Sequence, residues 1–200
     1  MYFSIVGTEE RKEKIRGIMN NRQKGLVVVL EDIYDPHNAA AVIRTAEAFG
    51  ISDVWFVFNE GKAFNPRKIG SKTASYANQW IRFRKFKSTK ECLTELHNAG
   101  YEIIATALTQ NAESIFSANI KKEKVALLFG NEHAGLTPLA IELSDRTIII
   151  PMRGMVQSLN LSVTAALVMY KVIQERMEDE NKYIVSDEDA QKLFNEFEHI

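Results

Sequence analysis

Apolar residues in this chain gather into short continuous runs, separated by longer stretches with helical spacing. Residues 26–30 form a valine-rich run, the pattern of a parallel strand covered on both faces. Residues 54–58, 101–108, 125–129 and 147–150 repeat it. Between the first two runs lies the alanine-rich AAAVIRTAEAF, ending at Gly50, a residue suited to the left-handed backbone after a helix. Asp35, Pro36 and His37 break the first strand, and Asn38 is placed to cap that helix. Strand, helix and strand in this order imply parallel pairing. Ser88 with Glu91 makes a capping box for a helix ending near Gly100, and Thr137 followed by Pro138 marks another helix start. The predicted class is α/β, an open, mostly parallel sheet with helices on both faces.

Chemistry concentrates after two of the strands. Residues 151–170, PMRGMVQSLNLSVTAALVMY, run from a buried strand into a long apolar helix. Gly154, Gln157, Ser158 and Asn160, flanked by Met152, Met155 and Leu159, can bring backbone and amide groups against a ligand while apolar side chains enclose it. A plain strand-to-helix connection capped by Ser158 or Asn160 accounts for the same residues. Residues 130–136, GNEHAGL, place Asn131 and Glu132 at a strand's end, where open α/β sheets put ligand sites. His133 has no histidine or carboxylate at a metal-ligand spacing, so it reads as a loop histidine and no metal is expected. Cys92, the single cysteine, reads as a helix-packing residue.

Composition adds little until charge is followed along the chain. Apolar residues at 46% and charged residues at 26% fit an ordinary globular domain, with no run long enough to span a membrane. No signal-peptide pattern opens the chain, so the expected location is cytoplasmic. The net charge of -1 conceals a division: residues 1–90 hold 16 Lys/Arg and 9 Asp/Glu, residues 91–200 hold 9 and 17. A basic half can supply the phosphate-neutralising surface that nucleic acid requires. Arg11, Lys12 and Arg16 lie on a helix opened by Thr8, with a thin apolar stripe of Ile15, Ile18 and Met19. Lys62, Arg67 and Lys68 fall in a long basic loop, and Arg82 and Arg84 alternate with aromatics in WIRFRKFK. These are the candidate RNA contacts; a solvated charged face, or an edge strand with its charges outward, reads the same positions. The expected organisation is a basic helical arm over 1–25, a main domain over 26–176 and an acidic helical tail over 177–200.

Taken together, residues 38–50 (NAAAVIRTAEAFG), 128–136 (LFGNEHAGL) and 150–162 (IPMRGMVQSLNLS) resemble the motifs of the SPOUT-superfamily RNA ribose methyltransferases of the TrmH family. The resemblance implies a C-terminal trefoil knot, a homodimer and S-adenosylmethionine as methyl donor. Thr106, Gly130, Ile150 and Leu159, with Met152 and Ser158 beside them, would line the donor's site. Asn38, Arg44, Glu132, Ser158 and Asn160 fall on the family's functional positions. Arg44 is the residue associated there with the ribose 2'-hydroxyl proton, although a guanidinium stays protonated and makes a poor base. The implied substrate is a D-loop guanosine of tRNA. The alternatives are the wobble ribose, a ribosomal RNA guanosine, and an RNA-binding protein of this fold without catalysis.

Overall fold

Seven parallel strands form one sheet in the order β3-β2-β1-β6-β4-β7-β5. The structure, a computed structural model, describes residues 8–59, 63–69 and 77–199. In chain order its elements are α1 (Glu9–Asn20), β1 (Leu26–Glu31), α2 (Pro36–Ala48), β2 (Asp53–Val57), β3 (Arg82–Phe86), α3 (Thr89–Asn98), β4 (Glu102–Thr106), β5 (Glu113–Ser114), β6 (Val125–Phe129), α4 (Pro138–Glu142), β7 (Arg146–Ile149), α5 (Leu161–Arg176), α6 (Glu180–Tyr183) and α7 (Asp187–Phe197). The expected parallel α/β sheet is thus present.

Alternation along β1 divides the core. Leu26, Val28 and Leu30 pack with Ala39, Val42, Ile43 and Ala46 of α2 and Ala165, Val168, Met169 and Val172 of α5. Val27 and Val29 face the other way, onto Cys92, Leu93 and Leu96 of α3 and Ala140 of α4. Both faces are covered, which is why the strand is apolar throughout rather than alternating. Cys92 is fully buried, and burial pushes its thiol up to about 12, out of reach of nucleophilic chemistry at neutral pH.

One expectation needs correction. The cap of α2 is Asp35, whose side chain accepts from the His37 amide, and Pro36 occupies the first helical turn. Proline's fixed φ suits that position, so the helix begins before Asn38 and frees the Asn38 side chain for other work. The helices of the two chain ends, α1 and α7, pack together. Ile15 and Met19 of α1 bury against Ala190, Leu193, Phe194 and Phe197 of α7, whereas Ile18 stays exposed. The Arg16 guanidinium lies 4.6 Å from the Phe194 ring centroid, Arg11 donates to the Glu198 carbonyl at 3.5 Å, and Lys12 pairs with Glu9 at 3.5 Å.

Candidate active site

The C-terminal ends of β1, β4, β6 and β7 open onto a cleft of about 1120 Å³. The residue at its back is Gly130, where a Cβ would stand 2.3 Å from backbone atoms of Gly135 and Leu136, so only glycine permits the loop to close on itself. Gly135 completes that turn at φ +72°, and the Asn131 and Gly135 amides and carbonyls bond reciprocally at 2.9 Å. Thr106, Gly130, Ile150, Met152, Ser158 and Leu159 all line the cleft, as do Asn38, Glu132 and Asn160.

A chain of hydrogen bonds joins the three motifs. The Glu132 carboxylate accepts from the Tyr34 amide at 2.9 Å, the Asp35 amide at 3.1 Å and Asn38 Nδ2 at 2.9 Å. Because the carboxylate only accepts, Asn38 must present its NH2 to it, and its Oδ1 is left facing Asn160 Nδ2 at 3.0 Å. Asn160 in turn points its own Oδ1 at the Ser162 amide, 2.8 Å away, capping α5. Both amide orientations are therefore dictated from one end. Burial of Glu132 opposes its ionisation, but the bonds from Asn38 and from the Tyr34 and Asp35 amides outweigh it and hold the carboxyl below the usual glutamate range. Glu132 is an ionised anchor whose lone pairs are occupied, and it holds geometry rather than taking protons.

A second set of contacts locks the same two loops from below. The fully buried Glu31 accepts from the Thr137 amide at 2.9 Å and its hydroxyl at 2.8 Å, and also from the Thr89 hydroxyl. Asn131 Nδ2 donates to the Asp32 carbonyl at 2.6 Å. Asp32 is the one non-glycine residue with positive φ, at 49°, among the described residues. Its carboxylate receives the Asn59 amide at 2.7 Å and Asn59 Nδ2 at 2.9 Å, contacts that hold the strained turn. Sequence reasoning passed over Glu31, Asp32 and Tyr34 as contributors; an acidic pair closing an otherwise apolar strand was the available signal.

The floor of the cleft differs from its walls. Among the described residues, no hydrogen bond engages residues 151–159. Where this segment lines the cleft, at Met152, Gln157, Ser158 and Leu159, its backbone groups are open to a ligand, beside the apolar Ile150. Such a lining suits a molecule with an amino-acid end, a sugar and a flat base, which calls for backbone polar groups and apolar walls together.

Not every expected site residue meets here. Arg44 lies on the exposed side of α2 and is absent from the cleft's lining. Arg82 is bound to Asp53 through two hydrogen bonds, at 3.1 and 2.5 Å, and Arg84 is paired with Glu95 while lying over Trp55. Both belong to an edge strand with its charges outward, the alternative the sequence allowed. Arg67 and Lys68 are exposed in a short turn, with Arg67 5.7 Å from the Phe83 ring centroid; Lys62 lies outside the described residues. His133 is exposed on the cleft rim, edge-on to Tyr34. Among the described residues no cluster of His, Cys, Asp or Glu has metal-binding geometry, and no helix is long and apolar enough to cross a membrane.

Residues 25–170 match the SpoU rRNA Methylase family. The chain belongs to that family. A SpoU member is an RNA methyltransferase that draws its methyl group from S-adenosylmethionine, and the cleft lining fits that donor. One relative, a tRNA (guanosine(18)-2'-O)-methyltransferase from Aquifex aeolicus, is 31% identical over 98% of this chain and 92% of its own length. The solved structure of the A. aeolicus TrmH/SpoU tRNA modifying enzyme superposes with a TM-score of 0.86 at 30% identity, covering 96% of both chains. An AdoMet-bound rRNA methyltransferase from Sinorhizobium meliloti gives 0.68 at 26% identity, covering 82% of this chain and 60% of the other. The SpoU match spans the cleft and both flanking motifs, and the A. aeolicus likeness extends through α1 and α7 as well.

Proposed function

We propose that this SpoU enzyme methylates the 2'-oxygen of a guanosine ribose in tRNA, at the D-loop position named for its A. aeolicus relative, guanosine 18. The observation that carries the reading is the hydrogen-bonded line from Glu132 through Asn38 to Asn160, which draws three separated motifs onto one cleft rim. The near full-length likeness, α1 and α7 included, supports tRNA over a ribosomal target.

Bound in the cleft, S-adenosylmethionine supplies a methyl group made electrophilic by its sulfonium. Thr106, Gly130, Ile150, Met152, Ser158 and Leu159 would hold it, through backbone groups and apolar contact. The chain's remaining task is to bring a ribose hydroxyl into line and relieve its proton. Asn38 and Asn160 fix the rim on which the ribose must rest, and Ser158 offers an exposed hydroxyl there. Arg44 acts as a permanent cation that steadies developing alkoxide charge. Since it stands outside the cleft's own walls, its reach runs through an RNA phosphate or a second protomer.

The same reading includes a homodimer and a knotted C-terminal half, in the cytoplasm. Val163, Leu167 and Tyr170 are exposed at 46, 41 and 56% and recur along one side of α5, opposite the buried Ala165, Val168 and Met169. A second copy is the occupant that such an apolar stripe fits. Transfer of labelled methyl to unmodified tRNA transcripts, followed by nuclease mapping, tests the assignment. A single 2'-O-methylguanosine in the D-loop is expected. Label at the wobble ribose or only in ribosomal RNA would move the target, and donor binding without transfer to any RNA would remove the activity.

A further inference from the structure

Tyr34 and His133 are the exposed aromatic pair on the cleft rim. Tyr34 is 74% exposed, a large value for a ring held beside a folded site. The two ring centroids are 5.6 Å apart at an interplanar angle of 69°, an edge-to-face contact with His133 that still leaves most of the tyrosine ring exposed. Neither backbone is loose. The Tyr34 amide is bound to Glu132, and the His133 amide to Asn131 Oδ1 at 2.8 Å. The backbones that carry the two rings are therefore held beside Asn38 and Glu132.

We propose that Tyr34, braced by His133, is the platform on which the nucleobase of the acceptor nucleotide stacks. This rests on the tRNA methylation reading above and extends it to how the acceptor is gripped. A ribose presented to the Asn38–Asn160 rim carries its base with it, one bond away, and the base must leave its neighbours for the hydroxyl to enter the cleft. The flat surface fixed next to that rim is the Tyr34 ring. Stacking replaces the lost base–base contact and is indifferent to hydrogen-bond pattern, so the platform contributes grip while base identity is read elsewhere. Leu108, the other large exposed apolar side chain lining the cleft, offers no aromatic face, and the exposed Phe116 and Tyr170 lie outside the lining.

The donor's adenine is the competing occupant, and the test separates the two. Steady-state methyl transfer to tRNA transcripts, with direct S-adenosylmethionine binding in parallel, would be measured for the wild type, Tyr34→Ala, Tyr34→Phe and His133→Ala. A second readout is the fluorescence of 2-aminopurine placed at the acceptor position, which stacking quenches. Tyr34→Ala is expected to raise the KM for tRNA about tenfold, the loss of one stacked base, with the donor's Kd unchanged. Tyr34→Phe should restore the KM, and the 2-aminopurine complex should be brighter with Tyr34→Ala than with the wild type. A weakened donor Kd in Tyr34→Ala would give the ring to adenine and overturn the proposal. Unchanged KM and fluorescence would overturn it equally. A wild type that transfers no methyl to tRNA would remove the parent reading instead, a result visible before any variant is compared.

Discussion

Glu132→Gln tests whether the motif loops are held by an ionised carboxylate. The substitution keeps size and shape. It leaves one oxygen for the Asp35 amide and Asn38 Nδ2, and turns an NH2 group toward the Tyr34 amide, donor against donor. Hydrogen bonds to a charged group contribute about 1.5–3 kcal/mol each. Losing one outright and neutralising two others costs on the order of 3 kcal/mol, part of it recovered by water because Glu132 is only half-buried. That loss falls on the loop pair and its ligand more than on the sheet. The expected outcome is a donor Kd weakened roughly 10- to 100-fold, the 1.4 to 2.8 kcal/mol that remains after solvent, with a melting temperature lowered by only a few degrees. Calorimetric titration with S-adenosylmethionine and thermal denaturation read the two separately. The pH dependence gives an independent check. The carboxyl is held below its unfolded value, so its contribution is complete above the ordinary glutamate range and is lost as pH falls through the lower folded-state pKa. Wild-type affinity should decline on acidification while the glutamine variant has no such component. An unaltered Kd in Glu132→Gln, with the wild-type acid dependence retained, would refute the anchoring argument.

Arg44→Ala should leave the donor's Kd unchanged, because the residue is outside the cleft lining, and should lower kcat at least a hundredfold; full turnover would take Arg44 out of the mechanism. Asn160→Asp separates two functions: the carboxylate still caps α5, so melting should shift by less than about 2 °C, while its oxygen now faces Asn38 Oδ1 and turnover should collapse. The proposed dimer predicts that the wild type scatters light as a dimer and that Leu167→Glu, on the exposed side of α5, scatters as a monomer; a dimeric mass in both would displace the interface from this face. Ending the chain before Ser186 removes buried Leu193, Phe194 and Phe197 from α1 at about 1.5–3 kcal/mol each, and the truncated protein should melt well below the full chain or aggregate.

The strands were legible because burial on two faces forces a continuous apolar run, a signal that survives without tertiary knowledge. The cleft was legible through Gln157 and Ser158, polar residues between a buried strand and an apolar helix that neither the sheet nor a helix cap requires. What the sequence hid was pairing. Asn38 resembled a helix cap because asparagine before an alanine-rich stretch usually is one, and only Glu132, 94 positions away, shows that its amide serves the cleft. Residues that act through distant partners leave no local pattern, and Glu31, Asp32 and Tyr34 belong to that kind.

Charge makes the same point from the opposite side. The basic first half looked like a single RNA-facing surface, yet the fold brings much of it against the acidic second half. Lys24 meets Glu123 at 2.5 Å, Arg84 meets Glu95, and Arg11 and Arg16 lie on α7. Arg22 is buried with Glu47 at 3.2 Å, and burial lowers its pKa despite that partner. Exposed ion pairs contribute little to stability, but each one cancels a long-range field that would otherwise draw in a polyanion. Among the described residues, exposed cations without a carboxylate partner include Lys14, Lys85, Lys87 and Lys90 of the first half, Arg67 and Lys68 in their turn, and Arg153 shortly after β7. Arg153 was not among the expected contacts, because one arginine among methionines carries no charge-run signal. The division of charge along the chain therefore overstates the basic surface that the fold leaves open to a polyanion.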